Sequence, residues 1–324
     1  PNMTVIVPAD GIETKQVIKA AAELEGPVYI RLGRPKVPVL FGDDYKFEIG
    51  KGVVLKEGTD VTLIGTGIMV SKAMEAAELL ASEGISAAVV NISTIKPLDA
   101  ELIIAQAQKT GAVVTCEEHT ICGGLGSAVA EVLVENCPVP MARVGVEDKF
   151  GESGLPDELL EKYGLSASNI AAKAKAVIAK KYAEQDDRIH YYLNEKNLRL
   201  PRNLNRGFSL AKGDYLTWTS DDNRYRPTAL EKMLKALKDS KDAQFVFASC
   251  RIIDGDGKEI EYIIVNEHSQ KCIVGSSSVG ACFMYTRKAY ETVGEYDPEL
   301  PLVEDFDYWQ RIFMRFPTVT ISEI

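Results

Sequence analysis

Residues 60–92 read DVTLIGTGIMVSKAMEAAELLASEGISAAVVNI. An apolar run at 60–64 reaches Gly65-Thr66-Gly67, a helix-period stretch follows at 70–83, and a second apolar run fills 87–92. Strand, turn, helix and strand in that order make a βαβ unit, with parallel strands joined by a crossover helix. The third Gly of a GxGxxG is missing, so Gly65-Thr66-Gly67 reads as a tight turn rather than a dinucleotide cradle. Outward from this unit the alternation continues. Helices are expected at 99–110, 127–135 and 166–181, with strands at 112–116 and 141–146; upstream, strands at 3–7 and 27–32 flank a helix at 13–24. Repeated alternation of this kind predicts a mostly parallel sheet covered by helices.

Beyond residue 181 the core style changes. Residues 1–181 hold 6 aromatic side chains and no Trp, whereas 182–324 hold 19, both Trp included. Two domains of separate origin follow, with the boundary expected inside the charged stretch 179–188. The second half keeps an α/β pattern. Strands are expected at 188–193 and 215–218 around a helix at 202–211, and Pro227 reads as the N1 proline of a helix at 228–238. Runs at 244–252 and 259–265 alternate like a hairpin around Asp254-Gly255-Asp256-Gly257. A strand at 281–285 and an acidic loop lead to a last helix at 307–314.

The 324 residues carry a formal charge of −10, and the pI is about 5.1. That balance argues against nucleic acid as the partner. No run approaches the ~20 apolar residues of a transmembrane segment. Six cysteines without a CxxC pair fit a reduced, cytoplasmic protein. The opening Pro1-Asn2-Met3-Thr4 has no signal-peptide core and does not look like a natural start, so the chain is expected to begin inside a longer reading frame.

PNMTVIVPADGIETKQVIKAAAELEGPVYIRLGRP (1–35) resembles the close of a transketolase pyrimidine-binding domain. The text from Phe47 onward, through VVNISTIKPLD and VVTCEEHTICGGLGSAVAEVL, resembles the transketolase C-terminal domain, most of all that of split transketolases. The resemblance implies thiamine diphosphate chemistry with Mg²⁺, sugar phosphates as substrates, and a transketolase N-terminal subunit or a homodimer as partner. The family's Gly-Asp-Gly…Asn metal–diphosphate motif belongs to the other domain or subunit, and its activating glutamate to a segment that would precede Pro1. Gly255-Asp256-Gly257 lacks the Asn at the family spacing and reads as a hairpin turn. By position in RLGRP, Arg34 takes the family's phosphate-gripping role, suited to a planar and permanently charged fork; a surface ion pair is the other reading. Gly123-Gly124-Leu125-Gly126-Ser127 opens a helix whose N–H groups suit an anion or, more simply, close packing. His119, beside Glu117 and Glu118, reads as an interface histidine before a catalytic one.

RIHYYLNEKNLRLPRNLNRGFSLAKGDYLTWTSDDNRYRPTALEKM (188–233) and GACFMYTRKAYETVGEYDPELPLVEDFDYWQRI (280–312) resemble a family-2 glycosyltransferase of GT-A fold. The resemblance implies a nucleotide-sugar donor and a divalent ion, Mn²⁺ or Mg²⁺, that neutralises the leaving diphosphate. Thr219 stands where the family has its first Asp, while Asp221 keeps the metal position. Asp222 and Glu304 go to substrate binding, and Asp305 to the base that deprotonates the acceptor, a role contributing ~10²–10⁴-fold. Helix capping by Asp222 and a dipole-favouring acidic cluster at 304–307 are the structural alternatives.

The expected fold class is therefore α/β, a transketolase C-terminal-like domain followed by a partial GT-A domain. The expected domains are 1–46 (end of the pyrimidine-binding domain), 47–181 (C-terminal domain) and 182–324 (glycosyltransferase). The leading expectation is a fusion of two partial transferases. The alternatives are a split-transketolase C-terminal subunit with an incidental tail, and a non-catalytic oligomerisation module.

Overall fold

The computed structural model describes residues 2–194, 196–220, 223–254, 258–265, 279–300 and 302–322. The chain divides into two compact units, Pro1–Tyr192 and Leu193–Ile324.

In the first unit β1 (Thr4–Ile6), α1 (Gly11–Glu23) and β2 (Val28–Ile30) precede β3 (Val53–Lys56), β4 (Val61–Gly65), α2 (Met69–Ser82) and β5 (Ala87–Asn91). Then come β6 (Thr94–Lys96), α3 (Ala100–Thr110), β7 (Val113–Thr120), α4 (Leu125–Asn136), β8 (Met141–Val146), α5 (Pro156–Lys162) and α6 (Ala167–Gln185). Five strands form a sheet in the order β3-β5-β4-β7-β8. All its pairings are parallel except that of β3 with β5. The apolar runs at β4 and β5 are buried along their whole length because helices cover both faces. Met69, Ala73 and Leu80 of α2 meet Ile170, Ala174 and Val177 of α6 on one face, while Ile103 of α3 and Val129 and Leu133 of α4 fill the other.

A second sheet runs β2-β1-β6, with β1 parallel to β2 and antiparallel to β6. The short strand between β5 and α3 thereby stitches the opening segment to the larger sheet's domain. Three elements of this unit, β3, β6 and α5, carry no signal in the sequence pattern. At 3–7 residues each, they are too short to show a period.

The second unit contains α7 (Arg199–Leu210), β9 (Tyr215–Leu216), α8 (Ala229–Asp239), β10 (Phe245–Ala248), β11 (Cys250–Ile253) and β12 (Glu259–Ile263). After these come β13 (Phe283–Thr286), α9 (Arg287–Val293), α10 (Glu304–Phe313) and β14 (Thr318–Ile321). Four strands order as β14-β10-β13-β9, and β11 pairs with β12 apart from them. Rings fill this core: Phe245, Phe283 and Tyr285 lie parallel with centroids 6.0–6.3 Å apart.

Several sequence expectations are corrected here. Residues 188–193 form no strand, since their alternation finds no strand to pair with among the described residues, and they are exposed. The expected run 244–252 breaks at Ser249, whose N–H donates to Ile321 O and whose Oγ accepts from Val265 N–H, so its two parts join different sheets. Thr228 is the N-cap of α8, which leaves Pro227 one place before the cap rather than at N1. The last helix starts at Glu304, not 307, because Glu304, Asp305 and Asp307 together supply the acidic first turn that the helix dipole favours. Helix α6 runs through Tyr182 to Gln185.

Candidate functional site

The opening segment is welded to the sheet by polar contacts. Val7 N–H donates to Ser93 O (2.7 Å), and Gly67 N–H donates to Val7 O (3.2 Å). After β4, Met69 N–H donates to Thr66 O (3.3 Å) and Val70 N–H to Gly67 O (3.1 Å), a turn that leads into α2. Gly67 takes φ +58°, a conformation open to glycine, and a Cβ there would press on Val7. Asp10 caps α1 by accepting from Glu13 N–H (2.8 Å), and its second oxygen accepts from Leu40 and Phe41 N–H (2.8 and 3.0 Å). Glu13, fully buried, accepts from Ala9 N–H (2.7 Å), the Tyr45 hydroxyl (2.7 Å) and Asn91 Nδ2 (2.8 Å). Burial raises its pKa despite these donors. Asp10 and Glu13 were not singled out in the sequence, yet their spacing is that of a capping box, the one signal that marks them.

Arg31, Arg34 and Lys36 follow β2. They line a cleft of about 1050 Å³ with Thr14, Glu118 and Tyr163. Arg31 pairs with Glu118 at 3.3 Å. Arg34 is exposed and has no hydrogen-bond or ion-pair partner among the described residues. The lining also holds Asp10, Glu118 and Glu152. Asp10 accepts from backbone N–H groups, Glu118 pairs with Arg31 and Glu152 with Lys162, which leaves Arg34 and Lys36 as the cleft's cations without an ion pair among the described residues.

Glu117 and Glu118, in the second half of β7, face different surroundings. Glu117 turns inward, 1% exposed, and accepts from Leu125 and Gly126 N–H (2.7 and 2.8 Å). Burial raises its pKa. The anion at this glycine-rich helix start is therefore the protein's own carboxylate, and a Cβ at Gly124 would collide with Glu117 Oε2. His119 is exposed, its Nδ1 3.0 Å from Thr120 O. Arg31, Lys96, Glu118, His119 and Ser127 share a second cavity of about 700 Å³.

In the second unit, Thr219 and Ser220 lie just past β9, and Asn223 Nδ2 donates to Ser220 Oγ (2.6 Å). Asp221, Asp222 and Gly255-Asp256-Gly257 lie outside the described residues. Glu304 and Asp305 come together at the first turn of α10. Glu304 is buried, and its Oε2 has no hydrogen-bond partner among the described residues. Asp305 Oδ1 accepts from Phe306 N–H (2.6 Å). Burial first, then the neighbouring Glu304, raises the Asp305 pKa, which suits a proton acceptor. Sequence reasoning missed the polar and aromatic contacts behind this turn, among them Trp218 Nε1–H donating to the Tyr296 hydroxyl (3.0 Å). The density of rings was their only trace.

Thiamine diphosphate needs a metal–diphosphate site. Among the described residues no group of three or more His, Cys, Asp or Glu side chains is placed to hold a metal. The helix N-terminus at 124–126 is already filled by Glu117. The described residues do not fit that cofactor's diphosphate end, and no chemistry is derived through it.

Comparison with known proteins divides the chain in the same order. Residues 50–170 match the transketolase C-terminal domain, and residues 174–294 match glycosyl transferase family 2. The first match lies within the first unit. The second begins inside α6, whose Ala174 and Val177 pack in the first unit's core, and it stops before Glu304.

A 6-deoxy-6-sulfo-D-fructose transketolase subunit, SqwH, of Clostridium sp. (strain MSTE9) is 49% identical over 181 residues, 56% of this chain and 56% of that protein. A putative transketolase C-terminal section of Methanocaldococcus jannaschii is 46% identical over 176 residues, 53% of this chain and 55% of the other. A solved split gene transketolase, described as an inactive beta4 tetramer, shares 56% identity with a TM-score of 0.55, covering 56% of this chain and 59% of that one. The chain thus spans about half the length of the curated relatives it matches. No helix among the described residues is long and apolar enough to cross a membrane.

Proposed function

We propose that the first unit works as the C-terminal part of a split transketolase. It would join a subunit or a second copy that brings the diphosphate–metal site, and hold the terminal anion of a sugar phosphate in the cleft of Arg31, Arg34 and Lys36. The observation that carries this reading is Arg34, a guanidinium without a partner among the described residues, set in a cleft beside two further cations. A planar fork of this kind is matched to phosphate. The similarity to named transketolase subunits supports the class of reaction. Residues 1–46 then close a pyrimidine-binding domain and 47–181 form the C-terminal domain. Calorimetry with a hexose 6-phosphate tests the cleft. Arg34→Ala is expected to weaken binding about tenfold, the scale of one charge-assisted contact. Unchanged affinity would remove Arg34 from the site.

A second reading covers residues 182–324, favoured by the family-2 match and by the buried Glu304 beside Asp305. In it the chain fuses two transferase sections. Asp305 is the base for sugar transfer from a nucleotide-sugar donor, Glu304 and Asp222 contact substrate, and Asp221 holds Mn²⁺ or Mg²⁺. Asp305→Asn should leave donor binding intact and remove transfer, because an amide cannot accept the acceptor's proton. Near-normal transfer by that variant would reduce the acidic turn to a helix start.

A further inference from the structure

Two segments of the second unit are tied together by one phenol. Thr217 and Trp218 follow β9 directly. Thr217 Oγ1 donates to Phe283 O at 2.6 Å, and the Trp218 ring meets Phe283 edge-on, centroids 5.7 Å apart. On its other side the Trp218 indole N–H reaches the Tyr296 hydroxyl at 3.0 Å. Tyr296 is fully buried. Asn205 of α7 fixes its main chain in both directions, Nδ2 donating to Tyr296 O and Oδ1 accepting from Tyr296 N–H, each at 2.8 Å. The Tyr296 ring lies flat on Tyr308, centroids 3.9 Å apart and planes 9° apart. Tyr308 is four residues after Glu304 on α10, so it occupies the same helix face one turn on.

Packing accounts for the ring at 296 but not for its oxygen. A phenylalanine would keep the stack on Tyr308, and the Asn205 clamp involves only main-chain atoms of residue 296. A buried hydroxyl costs free energy unless it is bonded, and this one accepts from the residue that leads into Thr219 and Ser220. We propose that Tyr296 is a positioning residue, whose hydroxyl, through Trp218, holds the segment entering 219–220 in fixed register with the Glu304–Asp305 turn. The proposal rests on the sugar-transfer reading of this unit. Transfer requires the donor end and the base to be aligned, and a misplacement of about 1 Å costs on the order of 10²-fold in rate.

The test uses the full chain with Mn²⁺ and a panel of UDP-, GDP- and dTDP-sugars, following nucleoside diphosphate release alongside tryptophan emission. Tyr296→Phe is expected to lower kcat about tenfold with donor KM within about threefold, the pattern of a lost transition-state alignment. Its tryptophan emission should shift to the red as the Trp218 N–H turns to water. Tyr308→Phe keeps the stacked ring and removes a hydroxyl outside the Trp218 bond, so it should retain both properties. Wild-type turnover in Tyr296→Phe overturns the proposal, and so does an equal loss in Tyr308→Phe, which would mark general packing. If the wild-type chain turns over none of the donors, the sugar-transfer reading itself fails and the proposal falls with it.

Discussion

Glu117 occupies a place that the glycine-rich loop at 123–127 offers to any anion. Its two N–H partners lie eight and nine residues ahead, so only the folded loop brings them together, and the sequence left packing and anion binding both open. Because a Cβ at Gly124 would meet Glu117 Oε2, Gly124→Ala is expected to destabilise the first unit by about 1–3 kcal/mol, the usual cost of overpacking. Urea denaturation of the variant measures it; an unchanged midpoint would mean the carboxylate moves aside freely.

Glu13 makes the second prediction at this scale. Burial lifts its pKa above the ordinary 4.5, so upward from that pH the folded chain keeps a proton that the unfolded chain has lost. The stability this group contributes is present at low pH and declines as pH rises through its folded pKa. Compared with Glu13→Gln, which cannot titrate, the wild type should lose ground as pH rises above about 4.5. Paired urea midpoints at pH 5 and pH 7 read the difference, and a wild type that gains on the variant would contradict the sign.

Elements with a long period were legible and short ones were not. Helices α2, α3 and α4 and strands β4, β5 and β8 stand within a few residues of where periodicity puts them. The three-residue β6 could not be seen, because its partner β1 lies about ninety residues away in sequence and is chosen by topology. The stretch 188–193 failed the opposite way. Ile189, Tyr191 and Leu193 alternate as a strand does, but among the described residues no strand pairs with them and all three are exposed. This has a consequence for limited proteolysis. Helix α6 is regular to Gln185 and α7 starts at Arg199, so the first cut is expected within 186–198, releasing a resistant first unit. Early cleavage inside α6 or within 60–170 would contradict two compact units.

At the scale of the whole molecule, the change from aliphatic to aromatic cores announced two units before any contact was known. It did not show where the first unit ends, because α6 carries first-unit core residues into the span that matches glycosyl transferase family 2. The site was legible in part. Arg34 was singled out only by its match to the transketolase RLGRP position, whereas Arg31 and Lys36 gained meaning only once a cleft enclosed all three. Since the described residues hold no metal–diphosphate cluster, calorimetry of the chain alone with thiamine diphosphate and Mg²⁺ should give no binding heat, and measurable heat would place a cofactor site on this chain. The central claim is that the first unit is one part of a divided transketolase. Sedimentation velocity of the chain mixed with the N-terminal subunit of a split transketolase, with thiamine diphosphate and Mg²⁺ present, tests it most directly. The expected result is a faster-sedimenting complex containing both proteins; two boundaries unchanged from those of the separate proteins would contradict it.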